Sequence, residues 1–388
     1  MFTNVAHILQ KCVVSNVNRA PLPSVYTPER MSKPTVLYLC PLGQQHRDWR
    51  LTAAPTDLNV VIRRSTELSH DEALSLISQA DALITERTGI IDRSLIEAGS
   101  KLKIIQRLGS LYHDIDLEAA RERHIPVCYR SIYGTIAVAE NMLLQILAVL
   151  RRAMPLQKVV RTEPTEFKRT LPLDPNNKAQ TAPFEPRRTS EDVFAFNWSG
   201  QTQVRLLVNK TVGILGFGEI GAELSRRLQP MGCRIRYAKR NKLPDFIERD
   251  LRIEYRSQED LLRECDVVVS LMPYSKEMDL WLNAERIQLM KRGAYLCHAG
   301  SGSIIDEQAV ADAVRSGHLA GASFDTYEWE PIKQDEPLLA LANEDPAANV
   351  FLLPHIGSCG DAGRNEFAEF YDNVVNALTG KPLENQIP

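Results

Sequence analysis

The chain has 388 residues, enough for two domains with sizeable cores. A hydrophobic content of 44%, a charged content of 24% and a net charge of -3 are ordinary for a globular protein and give no case for a nucleic-acid-binding or polyanion-seeking surface. The seven cysteines (Cys12, Cys40, Cys128, Cys233, Cys265, Cys297 and Cys359) are odd in number, scattered and without a C-x-x-C pair, which points to reduced thiols in a cytoplasmic protein and away from disulfides or a metal site.

Residues 1–33 read as an N-terminal extension. Met1–Arg30 has a loose apolar stripe and few acids, but too little arginine and serine to favour a mitochondrial leader, and Met31 runs straight into the first strand signal. From Pro34 onward strands and helices alternate. Strands are predicted at Val36–Leu39, Leu58–Arg63, Ala82–Thr85, Lys103–Gln106 and Pro126–Cys128, with helices at Asp71–Gln79, Arg93–Ala98 (capped by Asp92) and Leu117–Arg123. This alternation predicts a parallel sheet covered by helices on both faces. Thr135–Arg152 is a helix apolar nearly all round, and so either central or in a subunit interface. No run in the chain reaches membrane-spanning length. At about 154–205 periodicity fails among Pro155, Pro164, Pro172, Pro175, Pro183 and Pro186, predicting an irregular surface excursion.

Periodicity returns at Thr211–Gly221. A strand-like run, Val212–Leu215, enters a turn with Gly216, Gly218 and Gly221 at G-x-G-x-x-G spacing, and Ala222–Leu228 continues as a helix. The first glycine permits the turn, the second admits a pyrophosphate to the backbone, and the third lets helix and strand pack. The N–H groups of the helix start would face the phosphates, so Gly216, Phe217, Gly218, Glu219 and Ile220 are the candidate dinucleotide contacts. Further strands are predicted at Arg234–Tyr237, Val267–Leu271, Ala294–His298, Gly321–Asp325 and Asn349–Leu353, with helices at Gln258–Glu264, Ala284–Leu289, Glu307–Ser316 and Gly363–Leu378. Where an acid usually holds the ribose of NAD, the second of these strands ends Ala238-Lys239-Arg240. Two cations without a carboxylate suit a 2′-phosphate, so NADP is expected over NAD.

Three segments at predicted strand ends carry reactive side chains: Leu296 to Asp306, Asp325 to Pro331, and Leu353 to Gly357. With the glycine turn, with Lys101 to Asp116, with Ala137-Val-Ala-Glu-Asn141 and with Met290 to Ala294, they form an ordered set that resembles the D-2-hydroxyacid dehydrogenase family over nearly everything from Pro34 to Pro388. The resemblance implies an α/β protein of two doubly wound parallel-sheet domains. A flavodoxin-like substrate domain would be built from 34–131 and 358–388, and a Rossmann-type nucleotide domain from 132–357. It also implies a homodimer through the helix at 135–152. His355 matches the family's catalytic histidine and Glu330 its acid partner. Pro273, Ala299 and Asp325 match the cofactor pocket, and Gly109, Ser110 and Leu111 match the loop whose backbone N–H groups hold a substrate carboxylate. The chemistry agrees: an alkoxide formed by hydride transfer needs a proton, which an imidazole steadied by a carboxylate can give.

Two departures from the pattern concern the substrate. The family's carboxylate-binding arginine is replaced by Ser301, which cannot make a bidentate charged contact. Leu111 stands where the family has a second glycine. Arg107, His113, Arg130 and His298 are the cations that could substitute for the arginine. The expected activity is therefore reduction of a small 2-oxo acid or oxidation of a 2-hydroxy acid. Two alternatives stay open: a weak or inactive nucleotide-sensing interaction protein, and a reductase for a substrate without a carboxylate.

Overall fold

The computed structural model describes residues 32–41, 43–86, 90–161, 188, 201–345, 347–360 and 366–388. Most of the N-terminal extension at 1–33 and of the segment at 154–205 lies outside these residues.

Short runs of buried, largely β-branched and aliphatic residues build two separate parallel sheets. In the first, β1 (Thr35–Cys40), β2 (Asn59–Arg64), β3 (Ala82–Glu86), β4 (Ile105–Leu108) and β5 (Val127–Arg130) pair in the order β2-β1-β3-β4-β5. In the second, β6 (Thr211–Leu215), β7 (Arg234–Ala238), β8 (Ile253–Tyr255), β9 (Val267–Ser270), β10 (Ala294–His298), β11 (Leu319–Phe324) and β12 (Val350–Leu352) pair in the order β12-β11-β10-β9-β6-β7-β8. Both are doubly wound, the fold class read from the strand–helix alternation. In the second sheet the strand order reverses between β6 and β9, and ligands of open sheets bind in the crevice at such a switch point. Side-chain caps start the intervening helices: Ser69 makes a full capping box with Glu72, and Asp92, Asp116, Ser257, Asn283 and Asp306 each accept a backbone N–H of the first turn.

The long helix Tyr133–Leu150 joins the two halves. It packs on the helix Glu219–Leu228 and on β10 and β11, and Ser323 donates to Gln145 at 2.9 Å. Leu37, Leu83 and Ile105 of the first sheet, Met142, Ile146 and Val149 of this helix, and Val212, Ile214 and Tyr237 of the second sheet belong to one buried cluster. Contrary to the sequence reading, this helix is by length and composition apolar enough to cross a membrane, although 44% of it is buried inside the protein. The chain end returns to the first sheet: the Ile387 N–H donates to the Val127 carbonyl at 2.8 Å and Tyr129 N–H to Asn385 at 3.1 Å.

Several elements differ from the expectation. Helices Gln44–Thr52, Asp245–Leu251 and Pro337–Glu344 and strand β8 were not read from the sequence. The expected irregular segment begins inside a helix, Ala153–Arg161, whose Pro155 lies in the first turn, where its missing N–H is no loss. The last predicted helix is two short ones, Glu366–Glu369 and Asp372–Thr379, separated at Phe370 and Tyr371; the Tyr371 hydroxyl donates to the Arg50 carbonyl, and both rings are buried. Gly380, at φ +72°, ends the second one.

Candidate active site

The glycine turn leaves β6 beside the end of β9. Gly216 sits at φ +82°, and a Cβ there would lie 2.7 Å from the Met272 backbone nitrogen, so the turn can approach the neighbouring crossover only as glycine. At Gly218 a Cβ would meet nothing within 4 Å, so the second glycine faces open space. The third, Gly221, lies against the Phe217 ring, 2.9 Å from where its Cβ would be, and Phe217 packs on Tyr237 at 4.9 Å between ring centres, the rings tilted by 53°. The groove in front of the turn encloses about 1250 Å³ and is lined by Gly216, Phe217, Gly218, Lys239, Arg240 and Pro273 among others. Burial pulls the Lys239 ammonium below its ordinary pKa, opposed by the negative charge of Glu219. Open glycine backbone, a helix start and two cations at the end of β7 are a donor set that fits a phosphorylated dinucleotide. Glu219 and Ile220 line an adjoining cavity of about 360 Å³ instead, with Arg107, Leu111, His113 and Lys239. Ala299 and Asp325 are not among the residues lining either space.

The ends of β11 and β12 carry the reactive pair. Asp325, following β11, is 2% exposed, and its two oxygens accept the Ile356 N–H at 2.9 Å and the Gly357 N–H at 2.8 Å. It thereby anchors the loop after β12, on which His355 stands at φ +52°. Tyr327 adds a second tie, its hydroxyl donating to the Leu353 carbonyl at 2.9 Å, and Glu307 holds the segment after β11 by accepting the Glu328 N–H at 2.8 Å. Within this frame His355 Nδ1 meets Glu330 Oε2 at 2.6 Å, while Glu330 Oε1 accepts the Tyr327 N–H at 3.0 Å. Burial acts to raise the Glu330 pKa, but the His355 contact and the Tyr327 N–H together hold it below the ordinary carboxyl value. The His355 side chain is 56% exposed, so an imidazole with one nitrogen fixed on a carboxylate can present the other to a ligand.

Ser301 lies against the same frame, because a Cβ on the next residue, Gly302, would fall 1.9 Å from the Tyr327 backbone. Its N–H donates to the Met272 carbonyl at 3.0 Å. The four candidate cations differ in their surroundings. Arg107 is buried, with Nη2 bidentate to Asp114 at 2.8 and 2.9 Å and Nε on the Leu111 carbonyl. Arg130 pairs with Glu369 and Asp372. His298 is fully buried behind Ser301, its pKa driven down to about 4 by desolvation, so it is uncharged at neutral pH. His113 lines the nucleotide groove and is also pulled down by burial.

The loop at Gly109–Leu111 follows β4. Gly109 has φ +125°, and the N–H groups of Ser110 and Leu111 both donate to Glu219 Oε2, the latter at 3.2 Å. The Ser110 and Ser131 hydroxyls both donate to Glu223 Oε1, and Arg227 pairs with Glu223 at 2.7 Å. The helix Glu219–Leu228 thus grips this loop through two acids one turn apart. Sequence reasoning assigned Glu219 to the cofactor and passed over Glu223. The available signal was their four-residue spacing, which puts both acids on one helix face.

Comparisons with known proteins agree with this picture. The family model described as D-isomer specific 2-hydroxyacid dehydrogenase, NAD binding domain, matches residues 186–357. A glyoxylate reductase of Thermococcus kodakarensis is 34% identical over 304 residues, covering 78% of this chain and 81% of its own. One of Pyrococcus furiosus is 32% identical over 303 residues, with 78% and 80% covered. Among solved structures, a protein of Pyrococcus horikoshii OT3 superposes with a TM-score of 0.50 at 26% identity, covering 91% of this chain and 95% of that one.

Proposed function

The chain belongs to the D-isomer specific 2-hydroxyacid dehydrogenase family, and from that premise we propose that it reduces a small 2-oxo acid such as glyoxylate, with NADPH preferred and His355 as the acid/base. The observation that carries this reading is the 2.6 Å contact of His355 with Glu330 on loops anchored by Asp325. A bound nicotinamide supplies the hydride to the carbonyl carbon. Glu330 fixes the imidazole through Nδ1, leaving Nε2 to hold the proton that the carbonyl oxygen takes up. In the reverse direction the same nitrogen accepts the hydroxyl proton. Lys239 and Arg240 support the choice of NADPH, since they line the groove just after β7, where Ala238 stands in place of a ribose-binding acid.

The half built on β1–β5 would take the substrate and the half built on β6–β12 the nucleotide. Leu144, an apolar side chain 52% exposed on the helix Tyr133–Leu150, supports a homodimer through that helix. A second reading, a reductase for substrates without a carboxylate, is favoured by Ser301 and by the pairing of Arg107 and Arg130 with acids of the chain. The test is NADPH oxidation with a panel of 2-oxo acids and uncharged aldehydes. Turnover of 2-oxo acids supports the first reading and turnover of aldehydes alone the second. Tight NADPH binding with no turnover across the panel would refute both.

A further inference from the structure

Two backbone N–H groups that converge on one oxygen make a carboxylate site, because an anion accepts both at little cost in strain. Ser110 and Leu111 form such a pair at the end of β4, and the carboxylate they hold is the chain's own Glu219. The fit is close: a Cβ on Gly109 would lie 2.8 Å from the Glu219 carboxyl carbon. The contact is braced from one helical turn further on, where Glu223 takes the hydroxyls of Ser110 and Ser131 and is itself held by Arg227. Lys239 feels the charge of Glu219, and Arg107, which lines the same cavity, is turned to the Leu111 carbonyl and the Asp114 carboxylate.

A 2-oxo acid brings the same group that Glu219 already supplies, and one pair of N–H groups cannot serve two carboxylates. We propose that Glu219 is a specificity-determining residue that occupies, with its own carboxylate, the Ser110 and Leu111 N–H groups a 2-oxo acid's carboxylate needs, and so discriminates against carboxylate-bearing substrates. The inference rests on reading the cleft as a carbonyl reductase site. It also joins Ser301 and Glu219 in one explanation: with the arginine absent and the N–H pair filled from within, both halves of carboxylate recognition are reduced.

The test uses the full chain with Glu219→Ala, and Glu219→Gln as a near-isosteric variant that keeps an acceptor but no charge. The readout is the ratio of kcat/KM for glyoxylate to that for glycolaldehyde, which cancels any general loss of activity. The ratio should rise at least about tenfold in Glu219→Ala, the worth of one charge-assisted hydrogen bond, and by less in Glu219→Gln. An unchanged or lower ratio in both variants overturns the proposal. Binding of oxalate to the NADPH complex, followed by calorimetry, separates this from the function itself. If oxalate binds more tightly in Glu219→Ala while no form reduces a 2-oxo acid, the specificity role stands and the reductase reading falls. If oxalate affinity does not change, the specificity role falls, whatever the turnover.

Discussion

Substituting Asp325 by Asn tests how the catalytic loop is held. The Asp325 carboxylate accepts two N–H groups, from Ile356 at 2.9 Å and Gly357 at 2.8 Å, in a pocket that leaves it 2% exposed. Hydrogen bonds to a charged acceptor are worth about 1.5–3 kcal/mol each. Asparagine keeps one acceptor oxygen but turns an amide donor toward the second N–H, so one bond is lost and the other loses its charge assistance. We expect a loss of about 2–3 kcal/mol. That energy falls on the loop carrying His355 and not on either sheet, so it should reach the orientation of the imidazole. A displacement of that size lowers kcat by roughly thirty- to a hundredfold at about 1.4 kcal/mol per factor of ten. Because Asp325 acts through the loop, the NADPH dissociation constant should move little. The assay is steady-state reduction of glyoxylate at saturating NADPH, with NADPH affinity and the pH profile of kcat measured beside it. A wild-type kcat, or a loss confined to NADPH binding, would show that Asp325 does not position His355.

Three further outcomes follow from the geometry. Ser301→Arg should raise kcat/KM on 2-oxo acids by about a hundredfold, roughly the worth of a bidentate charged contact, with little change on uncharged aldehydes; no gain would mean that the cleft differs beyond that residue. Replacing Lys239 and Arg240 together by Ala should lower the NADPH-to-NADH preference at least about tenfold, measured as the ratio of the two dissociation constants, and an unchanged ratio would remove them from phosphate recognition. Glu307 is held up to about 7 by burial, against an ordinary value of 4.5, so the folded chain binds its proton more tightly than the unfolded chain. The resulting stability is fully present below pH 4.5 and is lost as pH rises through 7. Glu307→Gln should therefore match the wild type near pH 4 and exceed it at pH 8 by on the order of 3 kcal/mol in denaturant unfolding, with equal pH dependence of the two proteins refuting the assignment.

Most of the two sheets was legible because their strands are short runs such as Val267-Val-Val-Ser270, buried along their whole length. The helices that escaped notice have weaker local signals. Gln44–Thr52 is mostly polar and its cap position, Gly43, offers no side chain. Pro337–Glu344 did carry a signal, a Glu336 cap followed by proline in the first turn, but a proline after an irregular stretch reads equally as more loop. The break at Phe370 and Tyr371 could not be read locally, since it depends on Tyr371 reaching Arg50 and on Phe370 packing in the core. The site divides in the same way. His355, Glu330 and the glycine turn belong to motifs with fixed spacing, and the structure brings the first two into contact. The bonds of Asp325 to the His355 loop join positions 31 and 32 residues apart and carry no local signal. The hold of Glu219 on Ser110 joins residues 109 positions apart, and nothing within either segment announces the other.

The most direct test of the account is His355→Gln, which keeps a hydrogen-bonding side chain near Glu330 but cannot give up a proton. With NADPH and glyoxylate, the wild-type chain should consume NADPH, while the variant binds NADPH with the same affinity and shows no measurable turnover. Turnover by the variant at the wild-type rate would contradict the claim that His355 supplies the proton.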